Sequence, residues 1–304
     1  MPTLYFLIGP TAVGKTASAI QWAMTHEAEI LCADSPLVYR GMDIGTAKPT
    51  IEDQKKVCHH GIDLVGINER FSVGDYAAYA ATIVKSIFEK DKNLLVVGGS
   101  GFYLKSFFKA PTDDIPISKE IAQEVDKVFA SSGPEGLLKE LKKHGGEELP
   151  GLDLKNPRRV MKALERVLGS GKTYQELRRI YEGKEPPYSN IKKKTIMLTR
   201  GNGDLHERIA LRAKAMLDGG LVEEARRLDQ QGLRQNPQAS SVIGFRETLE
   251  YLDGHLTKSE LLQRIITDTC QLARKQRTFF KQLPIDKVIQ LKGDERVEIQ
   301  GLFN

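Results

Sequence analysis

The chain opens on an unbroken apolar run, Leu4-Tyr5-Phe6-Leu7-Ile8, closed by Gly9-Pro10. A run this short with no polar alternation predicts a strand buried on both faces, as in a parallel sheet. Helical spacing follows over residues 14–26. Ile30-Leu31-Cys32-Ala33 predicts a second strand ending at Asp34, and residues 61–65 a weaker one. Helical spacing returns over 76–90, then Leu94-Leu95-Val96-Val97 predicts a strand stopped by Gly98-Gly99-Ser100-Gly101. Strands alternating with helices imply βαβ units. From about 118 to 188 the buried-strand signal disappears. That stretch is charged and helical, bounded by Pro111 and Pro116 on one side and Pro186-Pro187 on the other. Thr195-Ile196-Met197-Leu198 predicts the return strand. Helices are expected over 204–217, 221–231, 245–252 and 258–281, with an edge strand at 288–291. The reading is an α/β protein: a parallel sheet flanked by helices, formed by residues 1–114 and 195–304, with an all-helical insertion domain at 115–194.

Composition narrows this little. The 304 residues are 40% hydrophobic and 28% charged, which fits a globular chain and not a disordered one. A net charge of +5 permits a polyanionic partner without requiring one. Cys32, Cys58 and Cys270 form no Cys-x-x-Cys pair, so neither a disulfide framework nor a zinc knuckle is expected. His59-His60 has no second ligand pair at fitting spacing, and a loop or core role is expected for both. No signal-peptide pattern and no membrane-length apolar run is present, so a cytoplasmic location is expected.

The first chemical motif is Gly9-Pro10-Thr11-Ala12-Val13-Gly14-Lys15-Thr16, a full G-x-x-x-x-G-K-[ST] match between a strand and a helix. Loop amides and a helix N-terminus suit phosphate oxygens, Lys15 can bridge phosphates, and Thr16 can ligate Mg²⁺. The expected fold is therefore P-loop NTPase-like. A Walker-B strand ending in an acid is missing, because residues 94–97 run into glycines. The acid-ending strand is the second, expected beside the P-loop strand. From position alone Asp34 could be a metal-bound acid, a general base or a helix N-cap. The polar, glycine-containing run from Asp34 to Pro49 reads as a functional loop.

That run, with the P-loop and Gly98-Gly99-Ser100-Gly101-Phe102-Tyr103, resembles the tRNA dimethylallyltransferases, also called isopentenyltransferases, of the bacterial type. The resemblance continues through His59-His60-Gly61-Ile62-Asp63, Asn156-Pro157-Arg158-Arg159-Val160-Met161-Lys162, Ile243-Gly244-Phe245-Arg246-Glu247 and residues 272–281, and so covers nearly the whole chain. It implies transfer of a dimethylallyl group from dimethylallyl diphosphate to N6 of an adenosine. That base lies 3′ of the anticodon in tRNAs reading codons that begin with U. The P-loop, Gly9 to Thr16, would hold the leaving diphosphate, with Mg²⁺ at Thr16. Asp34 would be the general base, with Thr11, Lys15 and Arg208 assisting departure of the diphosphate. The anticodon stem-loop would meet Asp34, Ser35, Pro36, Leu37, Ser100, Gln123, Arg158, Arg159, Val160, Met161, Lys162, Arg246, Arg274, Lys275, Arg277, Phe279 and Lys281. Departures from the family pattern are Leu37 for Gln, Ser100 for Thr, Phe279 for Trp and Cys270 for Arg. A monomer is expected, and no membrane partner.

Two other readings remain at this level. A small-metabolite kinase shares the strand–P-loop–helix unit, but has no need for Arg158-Arg159 or the basic last helix. A nucleotide switch is disfavoured, since no guanine-reading Asn-Lys-x-Asp occurs.

Overall fold

In the computed structural model, which describes residues 2–111, 115–293 and 302–303, β1 (Thr3–Ile8) lies inside a parallel sheet. Leu4, Phe6 and Ile8 enter one hydrophobic core and Leu7 the other. The uninterrupted apolar run follows from this, because side chains alternate between two covered faces. The chain continues through α1 (Lys15–Thr25), β2 (Ala28–Cys32), α2 (Ile51–Lys56), β3 (His59–His60), α3 (Val73–Glu89), β4 (Asn93–Gly98) and α4 (Gly101–Lys105). Then come α5 (Lys119–Gly145), α6 (Pro157–Ser170) and α7 (Tyr174–Glu182). The sheet is completed after β5 (Lys192–Arg200), α8 (Asn202–Asp218), α9 (Leu221–Gln230), α10 (Pro237–Ser240), α11 (Phe245–Leu252) and α12 (Lys258–Phe280) by β6 (Lys287–Leu291).

Among the described residues the strand order is β3-β2-β4-β1-β5-β6, all parallel. Two expectations change here. β2 is not beside β1, because β4 pairs with both of them. The weak strand expected at 61–65 is displaced. The pairing falls on His59 and His60, while Val65 makes only an isolated bridge to Tyr39. A parallel strand two residues long leaves almost no periodic signal to read. The return strand is longer than its apolar run, because Lys192 to Lys194 pair with Thr3 to Tyr5.

The chain divides into two compact units, Met1–Phe108 with Tyr188–Asn304, and Lys109–Pro187. The limit of 114 expected for the first segment lies outside the described residues. The second unit has a core of its own, with Val125, Leu137 and Leu141 of α5 against Val160, Leu164 and Val167 of α6. Helix α5 is broken at Gly133-Pro134, where the proline has no N–H to give. Helix α6 begins where Asn156 accepts from the Arg159 amide and Pro157 takes the first helical position.

Beneath the carboxyl end of β2, the Tyr76 ring stacks on Tyr103 at 3.9 Å between centroids. Its hydroxyl donates to the Cys32 carbonyl at 3.1 Å. Helix α3 starts earlier than its apolar spacing, because Ser72 and Asp75 form a reciprocal capping box. Tyr76→Phe keeps the stack and leaves that carbonyl without its hydroxyl donor. Urea unfolding should show a loss of about 1–2 kcal/mol with an unchanged m-value.

Candidate functional site

The carboxyl ends of β1, β4 and β2 meet where the chain leaves β1 to one side of the sheet and later returns on the other. Open α/β sheets bind ligands at such a switch point. Residues 9–14 wrap the end of β1 and enter α1. Gly14 sits at φ 108°, a conformation that Cβ disfavours in other residues. Lys15 is buried, and its ammonium donates to the carbonyls of Gly9 at 2.9 Å and Pro10 at 3.0 Å. Burial lowers its pKa, opposed by the charge of Asp34. The Thr16 hydroxyl is exposed on the first turn of α1 and lines the cleft.

Asp34 follows β2 and begins a 3-10 turn, Ser35–Val38, but its side chain does not cap that turn. Its Oδ1 instead accepts from the Gly99 amide at 2.6 Å. The carboxylate thus sits over the end of β4, the strand that separates it from the P-loop strand. Gly98 makes this possible, since a Cβ there would lie 2.2 Å from the Ala33 carbonyl oxygen. Loss of water raises the Asp34 carboxyl above its usual range, against the lowering influence of Lys15, the Gly99 amide and Arg212. Of the three roles open to Asp34 by position, the helix-cap role is excluded. The mouth around these groups is a cleft of about 900 Å³ whose lining includes Thr11, Lys15, Thr16, Asp34, Ser100 and Arg212.

Arg212 was not among the residues expected from sequence. It donates to the Thr11 hydroxyl at 3.2 Å and to the Thr46 carbonyl at 3.2 Å. Its burial lowers the guanidinium pKa, with Asp34 pulling the other way. Arg208, one turn earlier on α8, donates to the Ala12 carbonyl at 3.1 Å. The i, i+4 spacing placing both arginines on one helix face was the available signal. Gln276 was also missed: it accepts from the Thr11 amide at 2.9 Å and donates to the Gly99 carbonyl at 3.0 Å. It therefore ties the P-loop to Gly99, the residue whose amide holds Asp34.

The loop after Asp34 is held by two charges. Lys48 is buried and donates to Asp43 and Asp63 at 2.6 Å each, and to the Tyr39 carbonyl at 3.0 Å. Glu224 of α9 accepts from the amides of Asp43, Ile44 and Gly45 at 2.8–2.9 Å. Ser100 accepts from the Ser35 amide at 2.8 Å, across the cleft rim. Leu37 is buried, and Pro36 lines the cleft. Phe279 packs edge-on against the exposed Phe102 at 5.0 Å, with Lys105 over its face. Arg246 lines the same cleft but is paired with Glu247 and Asp268. Arg274, Lys275 and Lys281 are exposed, whereas Arg277 donates to Asn202 and to the Arg200 carbonyl.

In the helical unit Arg158, Arg159, Lys162 and Gln123 are exposed. Lys162 pairs with the buried Glu165 at 2.6 Å, and Arg159 with Asp153 at 3.6 Å. Met161 is half-buried against the core of the unit, and Val160 lies inside it at 2% exposure. The Val160 side chain is therefore unavailable to a partner.

A parallel sheet with a P-loop facing a desolvated carboxylate defines a group-transfer enzyme of the P-loop class. Residues 37–283 match the family model described as IPP transferase. The chain belongs to that family. It is 43% identical over 284 residues to the tRNA dimethylallyltransferase of Opitutus terrae, covering 93% of this chain and 91% of that protein. It also resembles the full-length tRNA isopentenylpyrophosphate transferase of Bacillus halodurans, with TM-score 0.67, 31% identity, and coverage of 95% and 90% of the two chains. A eukaryotic dimethylallyltransferase acting on tRNA shares the fold at TM-score 0.79 and 22% identity, over 95% and 74% of the two chains.

Glu224→Gln replaces an acceptor with an NH₂ group facing backbone amides. The variant should unfold about 1–3 kcal/mol more easily in urea, and hydrogen exchange at Asp43, Ile44 and Gly45 should accelerate relative to the β1 amides.

Proposed function

We propose that this chain transfers a dimethylallyl group from dimethylallyl diphosphate to N6 of the adenosine 3′ of the anticodon in tRNA, releasing diphosphate. The observation that carries this reading is the charge balance of the cleft. Two desolvated cations, Lys15 and Arg212, face one carboxylate, Asp34. The excess positive charge is compensated by an anionic ligand, and a diphosphate in the P-loop supplies it.

The exocyclic amine of adenine attacks the allylic carbon while the C–O bond to the diphosphate breaks and its electron pair leaves with the oxygen. Asp34 takes the N6 proton as the C–N bond forms. A carboxyl raised above its ordinary pKa is a better proton acceptor than a free aspartate would be. Lys15 turns from the Gly9 and Pro10 carbonyls toward phosphate oxygens. Arg212 and the Thr11 hydroxyl form a donor pair on the same anion, and Arg208 steadies the loop at Ala12. The Thr16 hydroxyl is a hard oxygen of the kind Mg²⁺ accepts beside phosphate oxygens, so the mouth fits the ion. When bound, Mg²⁺ supplies further neutralisation of the departing charge.

The adenosine must leave its stack to meet Asp34, and the rim of Phe102 and Phe279 offers aromatic surface for unstacked bases. Arg158 and Arg159 stand in the first turn of α6, where the helix dipole favours acids. Exposed cations there suit an external phosphate backbone, as do Arg274, Lys275 and Lys281 on the core unit. Among the described residues no helix is long and apolar enough to cross a membrane.

Labelled dimethylallyl diphosphate with unmodified tRNA should yield N6-labelled adenosine and one diphosphate per transfer. Robust ATP turnover without tRNA would instead favour a kinase. Asp34→Asn should lower the transfer rate by about 10²–10⁴. Because the base must be ionised, the acid limb of kcat/KM should fall at a pH above the ordinary aspartate value of about 3.9. An acid limb at or below that value would remove Asp34 from the role.

A further inference from the structure

At the amino end of β2, roughly 16 Å along the strand from Asp34, three side chains that sequence spacing did not connect converge. Glu29 Oε2 lies 2.7 Å from His60 Nε2, and Cys58 Sγ lies 3.6 Å from the same nitrogen. All three ligand atoms fall within 4.8 Å of one another. Glu29 is buried, His60 is partly covered and Cys58 is exposed, so the cluster has a fixed wall and an open entrance. None of the three serves the transfer chemistry. We propose that Glu29, Cys58 and His60 form a binding site for one thiophilic divalent cation, Zn²⁺, with water in the fourth position.

The donor set selects the metal class. Thiolate and imidazole suit zinc and disfavour Mg²⁺ and Ca²⁺, which take oxygen ligands. The spacing fits as well. Bonds of about 2.3 Å to sulfur and about 2.0–2.1 Å to nitrogen at a tetrahedral angle separate the two donor atoms by about 3.5 Å. The Sγ to Nε2 distance is 3.6 Å. The nitrogen and the carboxylate oxygen share a hydrogen bond and need open by only about 0.6 Å to become ligands. Lys92 donates to the other oxygen, Glu29 Oε1, at 2.9 Å and fixes the carboxylate, as outer partners of metal ligands do. Burial acts to raise the Glu29 carboxyl, but hydrogen bonds from Lys92, His60 and Cys58 outweigh it and hold the pKa at about 2, so an anionic ligand is already in place. The Cys58 thiol is pushed up by burial and by Glu29, and therefore releases its proton to solvent as the metal binds. A thiolate and a carboxylate neutralise the two charges of the ion, leaving Lys92 as before.

Titration of the full chain with Co²⁺ tests the site. The expected result is one equivalent bound per chain, with a thiolate-to-cobalt charge-transfer band that Zn²⁺ abolishes. Cys58→Ser should remove the band, and Cys270→Ser should keep it. His60→Gln should weaken Zn²⁺ binding by at least about tenfold. As a second reading that does not depend on the variants folding, Zn²⁺ should slow alkylation of Cys58 in the wild type, measured by peptide mass spectrometry, while alkylation of Cys270 is unchanged. A wild type without the band, a band that survives Cys58→Ser, or equal alkylation of Cys58 with and without Zn²⁺ would overturn the proposal.

Discussion

The cleft depends on bringing two cations and one carboxylate together, with Lys15 buried and Asp34 and Arg212 partly covered. Lys15, Arg212 and Asp34 come from three different elements, and each is shifted by burial away from its charged form. Such an arrangement is unstable for any one of them alone, because an isolated buried charge loses its hydration. Together they offset one another's charge, with one positive charge in excess. The glycines at the end of β4 follow from this requirement. Side chains there would exclude the Asp34 carboxylate from the Gly99 amide and from the P-loop beyond it.

The rest of the mouth is fastened by polar groups reaching across long stretches of chain. Glu224 gathers three consecutive amides of the loop after Asp34, and Lys48 holds Asp43 within that loop and ties the loop to Asp63. Gln276 joins the P-loop to Gly99, whose amide holds Asp34. A buried loop is tolerable only if its backbone donors and acceptors are satisfied. Here that accounting is met by side chains of helices α9 and α12, which makes those helices part of the site's rigidity as well as of the core.

The helical unit shows a different economy. Its core is small, built from α5 and α6, and its basic residues stand at the solvent face. The Asn156-Pro157 step has a local reason as a helix start, so part of the Asn156–Lys162 signature is explained by folding. Arg159 has a local partner in Asp153, whereas Arg158 stands exposed in a first helical turn, which prefers acids. At the amino end of β2, the cluster of Glu29, Cys58 and His60 likewise exceeds what strand pairing requires.

Much of this protein was legible in its sequence. The apolar runs of β1, β2 and β4, the glycine loop, the helical insertion and the last long helix were set by patterns that repeat within a few residues. The Asp34–Pro49 run and the P-loop pointed to the family through motifs that are local too. Tertiary structure alone decided that β4 separates β2 from β1, and that Arg212 joins Arg208 at the P-loop. It also decided that Glu224 and Gln276 brace the cleft, that Val160 is core, and that Cys58 and His60 meet Glu29. Periodicity records which face of an element is dry, because that is a property of neighbouring residues. It does not record which charges share a corner, because that depends on contacts between residues as far apart in the chain as Thr11 and Gln276.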